Sequence, residues 1–383
     1  MAELARSAEI DWAEVEGCYG ETGDFHRYLR GLVSDEPRVQ SHAVSRLYSE
    51  CLHQGSVYET TAKVMPFLIA LLEHPQAKPS ELLEMIHDFA TNAAPWVAEA
   101  RRAREEGLDE DEEDWTFPIL GTVEAVGQHW PKLWKLMGSE DEKIRQTVLS
   151  MASIPPRSPA ISDSVIAFAD DRGQPLGMRA CAVEALSSMD GAKPEDLLPY
   201  LEDDSALVQA TAAIELGITF GPDSPAEAVA ALARALERRD ELADDYHGLP
   251  FVETHFLARL ALAIGWIGLS GSEAARALVN PLCELIEEVD GASATTYGKG
   301  LLALSLGRCE RPFAPDFLRV LETLAESRSF NVFNVNAAEV LEKWNLPRYK
   351  EELGPFVREL QKEADPEAAL YAYIHRDDEA DGG

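Results

Sequence analysis

The chain has 383 residues, 46% of them hydrophobic, and sets 34 basic side chains against 68 acidic ones for a formal net charge of −34. Such a length exceeds one ordinary core unless the fold grows in one dimension, and so acidic a surface repels phosphate backbones and anionic lipid heads while favouring basic protein partners or plain solubility. No run approaches the ~18 apolar residues of a membrane span, the opening residues lack a secretory pattern, and the scattered Cys18, Cys51, Cys181, Cys283 and Cys309 form no C-x-x-C pair, which together predict a reduced, cytoplasmic protein.

Taken in order, residues 1–23 read as an N-terminal cap, with Trp12 and Tyr19 set among glycines. Asp24 then caps a helix carrying Phe25, Tyr28, Leu29 and Leu32. After Ser34-Asp35-Glu36-Pro37 a second helix presents Val39, Ala43, Val44 and Leu47, its proline placed where a missing donor does no harm. His53-Gln54-Gly55-Ser56 is a turn into the next helix, Thr61 to Leu72, which Pro66 kinks or restarts. Leu82, Leu83, Ile86 and Phe89 mark its partner. Residues 101–114 break the pattern: eight of the ten from Glu105 to Asp114 are acidic, which predicts an exposed, mobile loop, tied back by Trp115 and Phe117.

From Trp130 to about Gly221 one short unit is written three times. The first helices carry Leu133, Val165 and Leu197, spaced 32 residues apart twice over, and the second helices carry Ile144, Met178 and Val208, at 34 and 30. Acidic turns join the two helices of each copy: Ser139-Glu140-Asp141-Glu142, Asp170-Asp171 and Glu202-Asp203-Asp204. A fixed period of this length predicts stacked helix pairs, each unable to bury its apolar face alone. The pattern of apolar helix, acidic turn, apolar-Arg and regularly spaced small residues resembles the HEAT repeat, clearly over 130–220 and more loosely over 24–345. The His53-Gln54-Gly55 segment is likewise similar to one in bacterial HEAT-repeat proteins of unassigned function. The resemblance implies an all-α, right-handed superhelix of about eight helix pairs, a single solenoid domain over 1–383.

Beyond Gly221-Pro222 the reading continues with a helix Pro225–Arg238, an acidic turn Asp240–Asp245, and a helix Phe251–Leu269 apolar on most faces and so expected to be the most buried. Further pairs are expected at 274–306 and 315–346, and 348–383 form a C-terminal cap with a frayed acidic tail.

The resemblance places each second helix on a concave side, so polar and aromatic residues there are candidates for partner binding. Asn331, Asn334 and Asn336 with Phe330 and Phe333 form one cluster; Asn331 serves equally as a plain helix cap. Thr254, His255 and Arg259 share a face of the long helix, where a single hydrogen-bonded histidine is the structural alternative. His53 with Tyr58, and His87-Asp88 on the following pair, are candidates to converge across one groove, since His-Asp can poise a base or begin a metal site. Arg145, Arg179 and Gln209 recur at one repeat position. They form either a basic ladder or structural links, Arg145 to Asp141 along its helix and others to acids in neighbouring turns.

No P-loop, dinucleotide fingerprint, nucleophile elbow or zinc signature is present. The sequence therefore predicts a non-catalytic protein-binding scaffold without cofactor or metal, one instance being an acidic immunity or antitoxin-like protein that sequesters a basic partner. By fold analogy two alternatives stand beside it, a chromophore-binding protein like the HEAT-type bilin lyases and a HEAT-like DNA glycosylase, the latter opposed by the net charge.

Overall fold

Prolines set where many of these helices begin: Pro37, Pro79, Pro159, Pro194 and Pro366 each stand in a first turn, where no intrahelical donor is needed. The computed structural model describes residues 5–21, 25–107, 115–247, 256–268, 317–326 and 341–376, with a few positions between 277 and 284. Among these, nearly all regular structure is helical. The strands are two short antiparallel ribbons, β1 (Glu16–Gly17) with β2 (Gly20–Glu21), and β3 (Leu52–His53) with β4 (Ser56–Val57). Two compact units emerge, Met1–Asp170 with Ser188–Ala192, and Asp171–Ser187 with Lys193–Gly383. The division falls inside the second of the three repeat copies. None of the helices is long and apolar enough to cross a membrane, among the described residues.

The first unit holds α1 (Phe25–Gly31), α2 (Pro37–Cys51), α3 (Glu59–Leu71), α4 (Pro79–Ala93), α5 (Val97–Glu105), α6 (Thr116–Gln128), α7 (Trp130–Trp134), α8 (Glu142–Ser150) and α9 (Pro159–Asp170). α4 buries Leu82, Leu83, Ile86, Phe89 and Ala93, the helical spacing the sequence announced. α3 runs on through Pro66. The turn between α2 and α3 is a tight hairpin, with Gln54 at φ 51° and Gly55 at φ 85°; two consecutive left-handed residues match the twist of the flanking strands. The Thr60 hydroxyl donates to the Glu50 carbonyl at 3.0 Å and that of Thr61 donates to Cys51, so side chains satisfy carbonyls left open at the end of α2. Trp12 stacks on Phe25 at 5.1 Å and meets Phe67 edge-on at 6.4 Å, while its ring N–H donates to the Ser7 carbonyl at 2.7 Å.

Two expectations for this unit need correction. Arg101 to Glu105 are not loop: they complete α5, which buries Ala100 and Ala103, and the acidic residues 108–114 lie outside the described residues. Trp115 is exposed, and the buried residue at the start of α6 is Thr116. Asp24 also lies outside the described residues.

The second unit holds α10 (Leu176–Ser187), α11 (Pro194–Leu197), α12 (Ala206–Phe220), α13 (Ala226–Glu237), α14 (Arg239–His247), α15 (Phe256–Gly268), α16 (Phe317–Glu326), α17 (Lys350–Leu360) and α18 (Pro366–Ile374). Contrary to expectation, the helices buried on every side are α10 and α12, where Met178 to Ser187 and Ala210 to Gly217 are continuously buried. Their alanines and glycine leave room for close neighbours: a Cβ on Gly217 would stand 2.7 Å from that of Ala263 on α15. Asp240 to Asp245 form no turn but lie within α14, which turns Leu242 and Tyr246 inward one helical turn apart while the acids face out. Its first-turn acids suit the positive end of a helix dipole, and Glu241 holds Arg238 at 2.6 Å.

The repeat markers Leu133, Val165, Leu197, Ile144, Met178 and Val208 are all buried. The recurring Arg145, Arg179 and Gln209 do not repeat one contact from copy to copy. Asp141 does not clasp Arg145; its carboxylate caps α8 by accepting from the Lys143 N–H at 3.0 Å. Arg179 instead reaches forward to Asp203 in the following turn, with its two terminal nitrogens 3.2 and 2.5 Å from the carboxylate oxygens. Gln209 donates to the Asp203 carbonyl. Burial would raise the Asp203 carboxyl, but the Arg179 fork and the Ser205 N–H outweigh it and hold it below the usual range.

Both partners of that fork are almost wholly buried, 4% and 6% exposed. Arg179→Ala therefore leaves a carboxylate stranded in the core, and should lower stability by about 3–5 kcal/mol in urea denaturation. A loss below about 1 kcal/mol, the range of exposed pairs, would show that the fork carries no such weight.

Candidate functional site

Of the residues the sequence singles out, His255, Asn331, Phe333, Asn334 and Asn336 lie outside the described residues, as do Thr254 and Phe330. The others fall in three places, and His53 with Tyr58 does not form one site with His87-Asp88. His53 is exposed on the β3–β4 hairpin, its ring 5.9 Å from Tyr19. Tyr58 shares a hydrogen bond with the Cys18 thiol on the β1–β2 turn; that bond, with burial second, pushes its hydroxyl up to about 12. On α4, Asp88 accepts a hydrogen bond from the Tyr48 hydroxyl at 2.7 Å. His87 stands beside it, Nδ1 3.7 Å from the other carboxylate oxygen. Burial draws His87 below its ordinary value against the opposing pull of Asp88. Among the described residues no group of three or more His, Cys, Asp or Glu side chains converges as a metal site.

Arg259, on α15, leads to a cluster that sequence reasoning missed. Its Nη1 lies 3.2 Å from Oε1 of Glu184 on α10, and its Nη2 pairs with Oε1 of Glu215 on α12. Ser187 donates to the other Glu215 oxygen at 2.8 Å. Tyr246, from α14, buries its ring against Phe256 at 4.8 Å. One guanidinium thus serves two carboxylates, and the sum of full charges is −1. The signal was present in the sequence: a glutamate appears inside an apolar, alanine-rich helix twice, at Glu184 and Glu215, 31 residues apart.

The electrostatics follow from that shortage of positive charge. Burial raises the Glu184 carboxyl, the neighbouring Glu215 raises it further, and Arg259 only partly offsets them, leaving it at about 7. Burial likewise drives the Tyr246 hydroxyl well above its ordinary value. Among the described residues the Glu184 Oε2, Arg259 Nε and Tyr246 hydroxyl have no hydrogen-bond partner. A neutral carboxyl beside an ionised one is the arrangement of an acid–base pair. Here, however, the side chains of Glu184, Glu215 and Arg259 are only 11%, 3% and 17% exposed. What the cluster can do is join four helices and exchange a proton.

The sign of its pH dependence is fixed. A folded-state carboxyl held at about 7 keeps a proton that the unfolded chain loses near 4.5. Its contribution is therefore fully present below 4.5, and is lost as the pH rises through 7. Glu184→Gln, which mimics the protonated side chain, should flatten the fall in stability across this window, and should be more stable than the parent at pH 8 by on the order of 1–3 kcal/mol. Urea titrations at pH 5 and pH 8 check this; parallel curves, or a variant weaker at pH 8, would contradict it. Compared with known proteins, the chain matches no family model and no curated protein.

Proposed function

We propose that the chain is a non-catalytic protein-binding scaffold, a right-handed solenoid of about eight helix pairs in the manner of HEAT repeats, whose acidic surface takes a basic protein partner. The observation that carries this reading is how the charges are sorted. The deeply buried acids Asp203 and Glu215 are held by Arg179 and Arg259, whereas the acids of the repeat turns, Glu140, Asp141, Glu142, Asp170, Asp171, Glu202 and Asp204, are exposed. These interior charges are therefore occupied in holding helices, and the acids of the repeat turns stand outside, on a chain with a net charge of −34. Such a surface speeds the encounter with a cationic protein and disfavours nucleic acid. An immunity or antitoxin-like inhibitor of a basic toxin is one concrete form of the scaffold, in a cytoplasmic setting.

The test is the salt dependence of affinity for a basic protein captured by the full chain. Attraction summed over a charged surface is screened over about 8 Å at physiological ionic strength, so affinity should fall at least about tenfold between roughly 50 and 500 mM salt. Neutralising Glu140, Glu142, Asp170, Asp171, Glu202 and Asp204 to their amides should slow association and leave the helical circular dichroism unchanged. An affinity indifferent to both would sink the reading, as would turnover of a small molecule by the purified chain.

A further inference from the structure

Against the acidity of the whole, one cleft of the first unit is lined with the opposite charge. It is a shallow, open cleft of about 780 Å³ beside α1 and the end of α3, lined by His26, Arg27, Arg30, Asp35, His74 and Gln76, with Val39 among its apolar residues. Its volume is that of a small-molecule site. Arg27 and Arg30 stand one turn apart on α1, both exposed, and Arg30 makes no ion pair among the described residues. The acid in the wall, Asp35, accepts from the Gln76 side-chain amide at 2.5 Å.

The histidines are oriented. The Nδ1 of His74 accepts the backbone N–H of Gln76 at 3.2 Å, which leaves Nε2 as the ring's donor. The Nδ1 of His26 is 2.7 Å from the Ser7 hydroxyl, which fixes the ring beside the two arginines. The wall thus combines two fixed cations with ring donors, and its one carboxylate is engaged.

We propose that this cleft binds the oxyanion of a small molecule, a phosphate or carboxylate group, with Arg30 as the principal contact, Arg27 adding positive charge one turn away, and His74 as a further donor. Guanidinium forks match the geometry of either group and bind it by paired, charge-assisted hydrogen bonds. The apolar lining beside them suits an organic body carrying the anion. This site is separate from the acidic exterior and does not depend on the partner proposed above.

The experiment is calorimetric titration of the full chain with inorganic phosphate, acetate and chloride at constant ionic strength. Phosphate or acetate should bind saturably with a Kd on the order of 1 mM, and the tighter of the two identifies the group. Arg30→Ala should weaken that binding about tenfold, Arg30→Lys should weaken it less, because charge remains while the fork is lost, and Arg27→Ala/Arg30→Ala should abolish it. Arg101→Ala, at a surface pair with Asp190, should leave it unchanged. Both cleft arginines are exposed, so the variants should keep the parent's circular dichroism. No saturable heat with either oxyanion up to about 20 mM, an equal response to chloride, or unchanged binding in the folded double variant would each overturn the proposal.

Discussion

One guanidinium shared between two buried carboxylates is the constraint around which the second unit is arranged. Arg259, Glu184 and Glu215 come from α15, α10 and α12, three helices whose buried faces are otherwise mainly apolar. Apolar contacts are non-directional, and such faces pack acceptably in more than one register. A planar fork that must meet two carboxylates at once does not. The approach of Gly217 to Ala263 acts in the same sense, since a side chain at 217 would force α12 and α15 apart. The net negative charge of the trio has one inexpensive outlet, retention of a proton by Glu184, because a second unpaired carboxylate in the core costs several kcal/mol.

Arg179 and Asp203 apply the same logic within the repeat. The arginine belongs to the second copy and the aspartate to the acidic turn of the third, so their fork joins consecutive copies, while Asp203 also accepts from the Ser205 N–H at 2.9 Å to start the next helix. One residue, Asp203, thus performs both tasks in the third copy. Arg145 has no counterpart to this forward link in the first copy, where Asp141 is occupied in capping. The repeat is thus regular in its apolar positions and individual in its polar ones.

That division also explains what was legible in the sequence. Periodicity reports burial, so Leu133, Val165, Leu197 and their second-helix counterparts could be placed in the core from spacing alone. It reports charge badly. Asp240 to Asp245 read as a turn because acids cluster there, yet Leu242 and Tyr246 are four apart and sufficed to seat a helix with the acids outside. Apolar content likewise pointed to the helix around Phe256 as the most buried, yet Leu257, Leu262 and Trp266 there are only partly buried, while Met178 to Ser187 and Ala210 to Gly217 are buried without a break. The candidate site was half legible: Arg259 stood out as a charge in an apolar helix, but its partners lie 75 and 44 residues away in other copies, and no local spacing announces such a meeting. Among the described residues no hydrogen bond, ion pair or ring contact joins His53 or Tyr58 to His87 or Asp88, and their contacts include Tyr19, Cys18 and Tyr48.

The acidic exterior and the basic cleft act over different distances, and this allows one chain to carry both. Attraction toward a cationic surface sums many separated charges, and each term weakens once the separation exceeds the screening length of about 8 Å. A guanidinium on an oxyanion acts at hydrogen-bond distance, inside that length, where the rest of the surface contributes mainly a diffuse repulsion. Added salt removes the diffuse terms first. It therefore weakens the long-range attraction of the exterior while relieving the repulsion that opposes an anion entering the cleft. The two proposed sites, opposite in sign, are in this way separable by ionic strength alone.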